Sequence, residues 1–437
     1  MERWDEYFKG KKITVMGLGL LGRGVGDIAF LARHGAILTV TDLKSESDLA
    51  PSLAALQAFS NITYHLGGHD LADFRHTDFV LKAAGVPLGS PFIEEARKNS
   101  IPIKMSASWF VELSGIRTVG VTGTRGKSTV TYMLYDIMTR AGMIVLLGGN
   151  IRGVSTLALL DKVTDDSVAL LELDSWQLQG WGDMKMSPRV AVFTTFMKDH
   201  LNYYHHDEQA YLADKAHIFL HQKEGDSFIL GEQASARVLK MFTPPVLPRE
   251  CSQGETFPLR ILGAHNQYNA RLAACAARSL DIDEETIQSA LADFKGVPGR
   301  LEFLGVVHGI SVYNDSTSTT PEATLAALDA IPGNLVLIFG GADKTLSMDA
   351  LIEKIHERGA RVVLLAGTGT ERIRSFFPNV SPHDILTSAV HEAFSRANQG
   401  ESILFSPAHA SFGMFKNEYD RNDQFVSLIH EKNDRNL

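Results

Sequence analysis

Short apolar runs alternate with segments of helical spacing along the whole chain. Residues 12–16 read as a buried strand, 23–34 as a helix closed by Gly35, and 36–40 as a second strand. Residues 77–84 (strand), 90–99 (helix) and 101–105 (strand) continue the series. An apolar run from Arg117 leads into a glycine-rich turn, and residues 130–142 have helical spacing and end on a glycine. Strands follow at 143–147, 167–173 and 189–196, then a helix over 207–221 and an Ala-rich helix after Gly263. Beyond Pro298-Gly299-Arg300 comes a β-rich stretch, 301–314, turning near His308-Gly309. A helix over 321–330 and strands at 335–339, 361–366 and 402–406 complete the chain. Strand–helix alternation of this kind predicts an α/β protein with parallel sheets covered by helices on both faces.

The length of 437 residues suggests about three domains at roughly 150 residues each. The expected division is a dinucleotide-fold-like domain over 1–105, a central domain with a P-loop-type phosphate site and a parallel sheet over 106–297, and a second dinucleotide-fold-like domain over 298–437. A formal net charge of −9 argues against nucleic acid as the main partner. The two cysteines, Cys251 and Cys275, have no paired spacing, which implies a reducing compartment without a disulfide or zinc framework. The first twelve residues are charged and lack the apolar core of a signal peptide. No apolar run approaches the ~18 residues of a membrane span. A cytoplasmic, soluble protein without membrane insertion is expected, and nothing demands more than a monomer.

Two turns carry phosphate chemistry. In Val121-Thr-Gly123-Thr124-Arg-Gly126-Lys127-Ser128-Thr129, a strand runs into a glycine loop, then a lysine and two hydroxyls that open a helix. Gly123 and Gly126 allow the backbone close to an anion. Lys127 can reach outer phosphates, and Ser128 or Thr129 can ligate Mg²⁺. The spacing is a shortened form of the usual loop, since Val121 stands where its first glycine belongs. Gly17-Leu-Gly19-Leu20-Leu21-Gly22, with Asp42 about 20 residues further on, is a dinucleotide fingerprint. It suits any nucleotide diphosphate, and an NAD-dependent dehydrogenase is the rival reading.

Ligands of open α/β sheets bind beyond the carboxyl ends of strands. Asn150, Glu172 and Asp199-His200 stand at such ends, and Glu172 and His200 are therefore placed as Mg²⁺ ligands. On its residues alone, Lys215 reads as a solvated helix lysine. Asn266 and Asn269 share a helix face, either as caps or as an adenine contact. Arg300, Asp315, Lys344 and Ser411 lie at strand ends or turns of the third domain, which are binding positions.

Taken in order, Thr122 to Thr129, Gly148-Gly-Asn150, Leu171-Glu-Leu173, Asp199-His200, His265-Asn266, Pro298-Gly-Arg300-Leu-Glu302, Tyr313-Asn-Asp315-Ser, Gly340-Gly-Ala-Asp-Lys344 and Ser406-Pro-Ala-His-Ala-Ser411-Phe resemble the Mur ligases. These are the ATP-dependent amino-acid-adding enzymes of peptidoglycan precursor synthesis, and the resemblance spans essentially the whole chain. The glycine turn, the length and the Ser-Pro-Ala-x-Ala-Ser-Phe ending look most like the branch that adds D-glutamate to UDP-N-acetylmuramoyl-L-alanine. A same-family ligase for another amino acid, such as L-glutamate, or another acceptor is the alternative.

The resemblance implies roles by position. Asp42 would lie near the uracil and Leu20-Leu21 near the diphosphate of the acceptor, which Asn150 would also contact. The phosphate loop, through Gly123, Thr124, Gly126, Lys127, Ser128 and Thr129, would hold ATP. Ser128 and Glu172 would bind one Mg²⁺, and His200 a second. Lys215 matches a lysine that is carbamylated in the family, which would make it a carboxylate able to bind or support Mg²⁺. Asn266, Asn269, Arg300 and Asp315 would hold the nucleotide, and Lys344 and Ser411 the amino acid's carboxylates. Lys127, His200, Lys215 and Arg300 would be the catalytic set, assembled by domain closure. The chain departs from the family's pattern at Ala83-Ala84-Gly85 (usually Ser-Pro-Gly), at Asp174 (usually serine), which adds negative charge beside the acceptor, at Glu418 (usually phenylalanine) and at Arg125 (usually asparagine).

Overall fold

The computed structural model describes residues 2–20, 22–200, 202–249, 251 and 254–434. Sixteen strands among these residues form three sheets. The first holds β1 (Lys12–Met16), β2 (Ile37–Asp42), β3 (Ile62–Leu66), β4 (Phe79–Lys82) and β5 (Ile103–Lys104), in the order β3-β2-β1-β4-β5. All its pairs are parallel. The strand order reverses direction at β1, so the glycine turn after Met16 opens where a ligand crevice is expected. Helix Arg23–Arg33 follows that turn, with Gly22 before it at φ 80°.

The second sheet holds β6 (Arg117–Thr122), β7 (Ile144–Gly149), β8 (Ser167–Glu172), β9 (Val190–Phe193), β10 (Ser227–Leu230) and β11 (Pro248–Arg249), in the order β11-β10-β9-β6-β8-β7. It too is parallel throughout. Every residue of β8 and β9 is buried, which is why both read as unbroken apolar runs.

The third sheet holds β12 (Glu302–Val307), β13 (Ile310–Asn314), β14 (Leu335–Gly340), β15 (Arg361–Leu365) and β16 (Ser402–Phe405), in the order β12-β13-β16-β14-β15. It is mixed rather than parallel, because β12 and β13 form an antiparallel hairpin. The two turn residues, His308 and Gly309, both have positive φ, 53° and 78°, which suits a two-residue hairpin turn.

Two compact units emerge, Met1–Glu255 with Arg271–Ile287, and Thr256–Ala270 with Gln288–Leu437. Within the first, one apolar core serves both sheets. Trp4, Phe8 and Phe30 pack in the same cluster as Trp109, Leu157 and Leu160, and the Trp4 indole donates to the Leu160 carbonyl at 3.1 Å. Within the second, separate clusters cover the two faces of the mixed sheet, one around Leu337, Phe339 and Leu404, the other around Ile338, Phe405 and Phe425.

Some boundaries differ from expectation. The helix expected over 130–142 begins earlier, at Lys127. The helix expected over 207–221 is Glu208–Ala216. The strand expected over 77–84 is only Phe79–Lys82, because the Lys82 ammonium folds the following residues into a loop. It donates to the carbonyls of Ala83, Ala84 and Val86 at 3.1, 3.1 and 2.6 Å.

Candidate active site

The phosphate loop is held from behind by the segment after β9. Gly123 has φ 139°, and a Cβ there would stand 2.0 Å from Thr194 Oγ1 and 2.8 Å from Thr195 N. Only glycine fits this approach. Thr194 Oγ1 donates to the Arg125 carbonyl at 2.5 Å. Two loop N–H groups turn inward rather than toward a ligand: Thr124 N–H donates to Thr195 O at 2.7 Å and Arg125 N–H to Thr195 Oγ1 at 2.8 Å. Thr124 Oγ1 accepts from Met197 N at 3.0 Å and lies 3.3 Å from the Tyr211 hydroxyl. The loop's remaining anion-binding capacity is therefore the start of helix Lys127–Arg140, where Lys127, Ser128 and Thr129 present first-turn N–H groups.

Lys127 and Lys215 meet at this loop. Lys127 Nζ donates to the carbonyls of Gly123 and Thr124 at 3.0 and 3.2 Å. Lys215 Nζ donates to Gly123 O at 2.9 Å and lies 4.9 Å from the Tyr211 ring centroid. Lys215 is 1 % exposed, which corrects the solvated-lysine reading. Its helix packs on the phosphate loop, so the face that carries Lys215 is covered. Burial, reinforced by the charge of Lys127, holds its ammonium well below the usual lysine value.

His200 ends the segment after β9 in the left-handed region, at φ 53°, and its N–H donates to Asp199 Oδ1 at 2.9 Å. Its half-buried ring lies 4.8 Å from that of Trp176. Burial lowers its pKa and Asp199 opposes the shift, while Lys215 and Lys127 add to it. Asp199 Oδ2 also pairs with Arg125 Nη1 at 3.2 Å. Arg125 is thus tied into the site.

Asn150 and Glu172 stand at the ends of the adjacent strands β7 and β8. Asn150 N–H donates to Glu172 O at 2.7 Å, and its Nδ2 to Glu172 Oε1 at 3.1 Å. Asn150 Oδ1 accepts from Arg23 Nη1 at 2.5 Å. Arg23 directly follows the glycine turn of the first sheet, so this chain of contacts links that turn to the strand end that carries Glu172. Arg23 was missed there; its place just after the third glycine was the available signal. Glu172 is buried, 3 % exposed.

In the first sheet, Asp42 is committed to shaping the glycine turn. Its Oδ2 accepts from Leu18 and Gly19 N–H at 2.9 and 3.2 Å, and its Oδ1 from Lys44 N–H at 2.9 Å. Leu20 is exposed, and Leu21 lies outside the described residues. Asp174 caps helix Ser175–Asp183, its Oδ1 accepting from Gln177 N–H at 2.7 Å. Asp174 is also the largest opposing influence on Lys82, whose pKa burial lowers to about 8. The departure at Asp174 is therefore an electrostatic neighbour of the lysine that precedes the departure at Ala83-Ala84-Gly85.

The second unit holds the remaining candidates. Asn266 and Asn269 are both buried, and Asn269 Nδ2 donates to Asn266 Oδ1 at 3.3 Å while Asn266 Nδ2 donates to Leu262 O at 2.7 Å. Asp315 accepts from Leu301 N–H at 3.1 Å, Ser318 Oγ at 2.5 Å and Ser406 Oγ at 2.7 Å. Burial raises its pKa to about 6. Arg300 is exposed, and Lys344 Nζ donates to Thr319 Oγ1 at 3.1 Å. Ser411 is buried at the end of the loop after β16. Arg421, not singled out in the sequence, is fully buried and joins that loop to the one after β13. It donates to Ser316 O at 3.0 Å and His409 O at 3.1 Å.

Three family descriptions match successive parts of the chain: the Mur ligase MurD-like N-terminal domain over 11–104, the Mur ligase middle domain over 121–248, and the Mur ligase glutamate ligase domain over 299–409. The chain belongs to the Mur ligase family. It is similar to the UDP-N-acetylmuramoylalanine--D-glutamate ligase of Roseiflexus sp. (strain RS-1), at 34 % identity over 96 % of this chain and 98 % of that protein. The ligase of the same name from Borreliella afzelii (strain PKo) is 35 % identical over 98 % and 99 %. Among solved structures, MurF ligase from Thermotoga maritima in complex with ADP shares the fold at a TM-score of 0.60 and 15 % identity, over 99 % of this chain and 97 % of that one. UDP-N-acetylmuramate-alanine ligase MurC from the same organism gives 0.57 and 16 %, over 96 % and 99 %. As a member of this family the chain is an ATP-dependent amide-bond ligase, and the dehydrogenase reading of the glycine turn is set aside.

Proposed function

We propose that this Mur ligase adds D-glutamate to UDP-N-acetylmuramoyl-L-alanine, with release of ADP and phosphate, in peptidoglycan precursor synthesis. The observation that carries the reading is identity near 34 % over nearly the full length of relatives named for that reaction. The work is divided among domains at 1–105 for the UDP acceptor, 106–297 for ATP and 298–437 for the amino acid. The setting is the cytoplasm and the working form a monomer. No described helix is long and apolar enough to cross a membrane.

The acceptor's terminal carboxylate takes the γ-phosphoryl group of ATP to give an acyl phosphate. The amine of D-glutamate then attacks that carbonyl, and phosphate leaves. Lys127 and the first-turn N–H groups beside it hold the phosphates and offset charge that builds on their oxygens. Asp42 shapes the turn whose backbone faces the acceptor's diphosphate, with Leu20 and Leu21 beside it. Asn150 contacts the acceptor. In the second unit Asn266, Asn269, Arg300 and Asp315 hold the nucleotide, and Lys344 and Ser411 receive the amino acid's carboxylates.

The oxygen donors Glu172 and Ser128 fit Mg²⁺, which typically takes one or two protein oxygens and completes its shell with phosphates and water. Among the described residues no three His, Cys, Asp or Glu side chains group to hold a metal. Bound there, Mg²⁺ supplies charge neutralisation at the transferring phosphoryl group. Lys215 as an ammonium cannot ligate a cation, and as a neutral amine it is a poor donor for Mg²⁺, which prefers oxygen. As a carbamate it can, together with His200, at a second site.

Borohydride reduction of the enzyme's mixture with ATP and acceptor, without amino acid, tests the chemistry. The acyl phosphate is expected to yield the alcohol corresponding to the acceptor's terminal carboxylate. Unchanged acceptor beside ADP would contradict the intermediate.

A further inference from the structure

The central sheet has a second polar end. Its strands deliver the phosphate loop, Glu172 and His200 at their carboxyl ends. At the opposite edge stand three exposed arginines: Arg117 begins β6, Arg189 immediately precedes β9, and Arg249 is the second residue of the two-residue edge strand β11. The parallel register sets the starts of β6, β9 and β10 side by side, with Val119 beside Val190 and Ser227 also beside Val190, and it places Arg249 beside Ile229 of β10. With Thr118, Ser227 and the Ser279–Asp281 turn they line a cleft of about 260 Å³.

No hydrogen bond or ion pair links any of these three guanidiniums to another described residue. One carboxylate, Asp281, also lines the cleft, and it makes no ion pair with them. Among the described lining residues, three arginines against one aspartate leave a formal excess of two positive charges on a chain whose net charge is −9. A general basic surface does not account for that excess. Grouping like charges without a counter-ion is unfavourable, and guanidinium forks match multidentate oxyanions. The volume lies below the ~300 Å³ at which pockets for drug-sized ligands begin. A whole nucleotide does not fit inside it, but a diphosphate does.

We propose that this cleft is a binding site for a compact multivalent oxyanion of the diphosphate class, separate from the catalytic centre. The six residues of β6 put roughly 20 Å between Arg117 and the phosphate loop. The occupant is either free diphosphate or the diphosphate end of a nucleotide whose remainder lies outside the cleft.

Calorimetric titration of the full chain with inorganic pyrophosphate, and separately with ADP, tests this. It is run on wild type, on Lys127→Ala and on the triple variant R117Q/R189Q/R249Q. Pyrophosphate is expected to bind a class of site that Lys127→Ala retains and the triple variant weakens at least tenfold, with affinity falling as salt rises. Loss of a parallel ADP site in the triple variant would identify the nucleotide as the source; ADP binding unchanged by it would identify the free anion. Equal pyrophosphate affinity in wild type and triple variant overturns the proposal, as does loss of all pyrophosphate binding in Lys127→Ala. Thermal melting checks the fold of the triple variant. If it is unfolded, the three single Arg→Gln variants decide: a threefold loss in each supports the site, and no loss in any overturns it.

Discussion

Lys127 and Lys215 donate to the same oxygen, the carbonyl of Gly123, at 3.0 and 2.9 Å. Two ammonium groups at one acceptor repel each other, and the buried one yields. Lys215 is therefore the lysine biased toward the neutral amine. A neutral amine is the form that adds CO₂. Incubation with ¹³C-bicarbonate is expected to give a carbamate carbon resonance that disappears in Lys215→Arg. Lys215→Ala should lower turnover by roughly 10²–10³-fold, the scale of a lost electrostatic contact in the transition state. No labelled resonance in wild type would sink the carbamate.

Gly123→Ala should fail through sterics alone. The added methyl meets Thr194 Oγ1 at 2.0 Å in a backbone region that side chains rarely adopt. Chemical denaturation should show a loss of roughly 1–3 kcal/mol, the cost of a strained site, and equilibrium dialysis a weaker hold on ATP. An alanine variant with wild-type stability and nucleotide affinity would show that the loop is looser than this account requires.

The contacts from Arg23 through Asn150 to Glu172 make a separable prediction. Arg23→Met should raise KM for the UDP-linked acceptor about tenfold to a hundredfold, from the loss of a charged hydrogen bond of ~1.5–3 kcal/mol. KM for ATP should change little. A rise in the ATP term with the acceptor term untouched would place Arg23 in the wrong half of the site.

Asp27 predicts a pH dependence of stability. It is buried, it accepts from Ser106 Oγ at 2.8 Å and Ser155 Oγ at 2.5 Å, and burial raises its pKa to about 6 from 3.8. The folded protein binds this proton more tightly than the unfolded chain, so the contribution is fully present below about pH 4 and is lost as pH rises through 6. At ~1.4 kcal/mol per unit the swing is about 3 kcal/mol. The stability of wild type relative to Asp27→Asn should thus improve by that order between pH 7 and pH 4. A flat difference across this range would mean that the carboxyl is not protonated in the fold.

Legibility followed burial only in part: β10 is wholly buried, yet its four-residue run was not anticipated. β8 and β9 are wholly buried, and both stood out as apolar runs. β3 is nowhere fully buried, β11 has only two residues, and neither was anticipated. Glycine turns were legible because few residues permit their backbones, and Gly22, Gly123 and Gly126 all have positive φ. Lys215 misled on its residues alone because helix periodicity does not say which loop will cover a face; only its family match marked it. Asp42 and Asp315 drew attention as binding groups, yet both carboxylates also accept from N–H or hydroxyl groups of other segments, a commitment that depends on contacts distant in sequence. Arg23 and Arg421 went unmarked for the same reason.

The central claim is the identity of the reaction. Phosphate release should be measured with ATP, Mg²⁺ and UDP-N-acetylmuramoyl-L-alanine against a panel of amino acids that includes both glutamate enantiomers, with product masses read alongside. The account predicts release that depends on D-glutamate, with a product heavier by one glutamyl residue. Release driven by another amino acid, with D-glutamate silent, would contradict it and direct attention to Glu418.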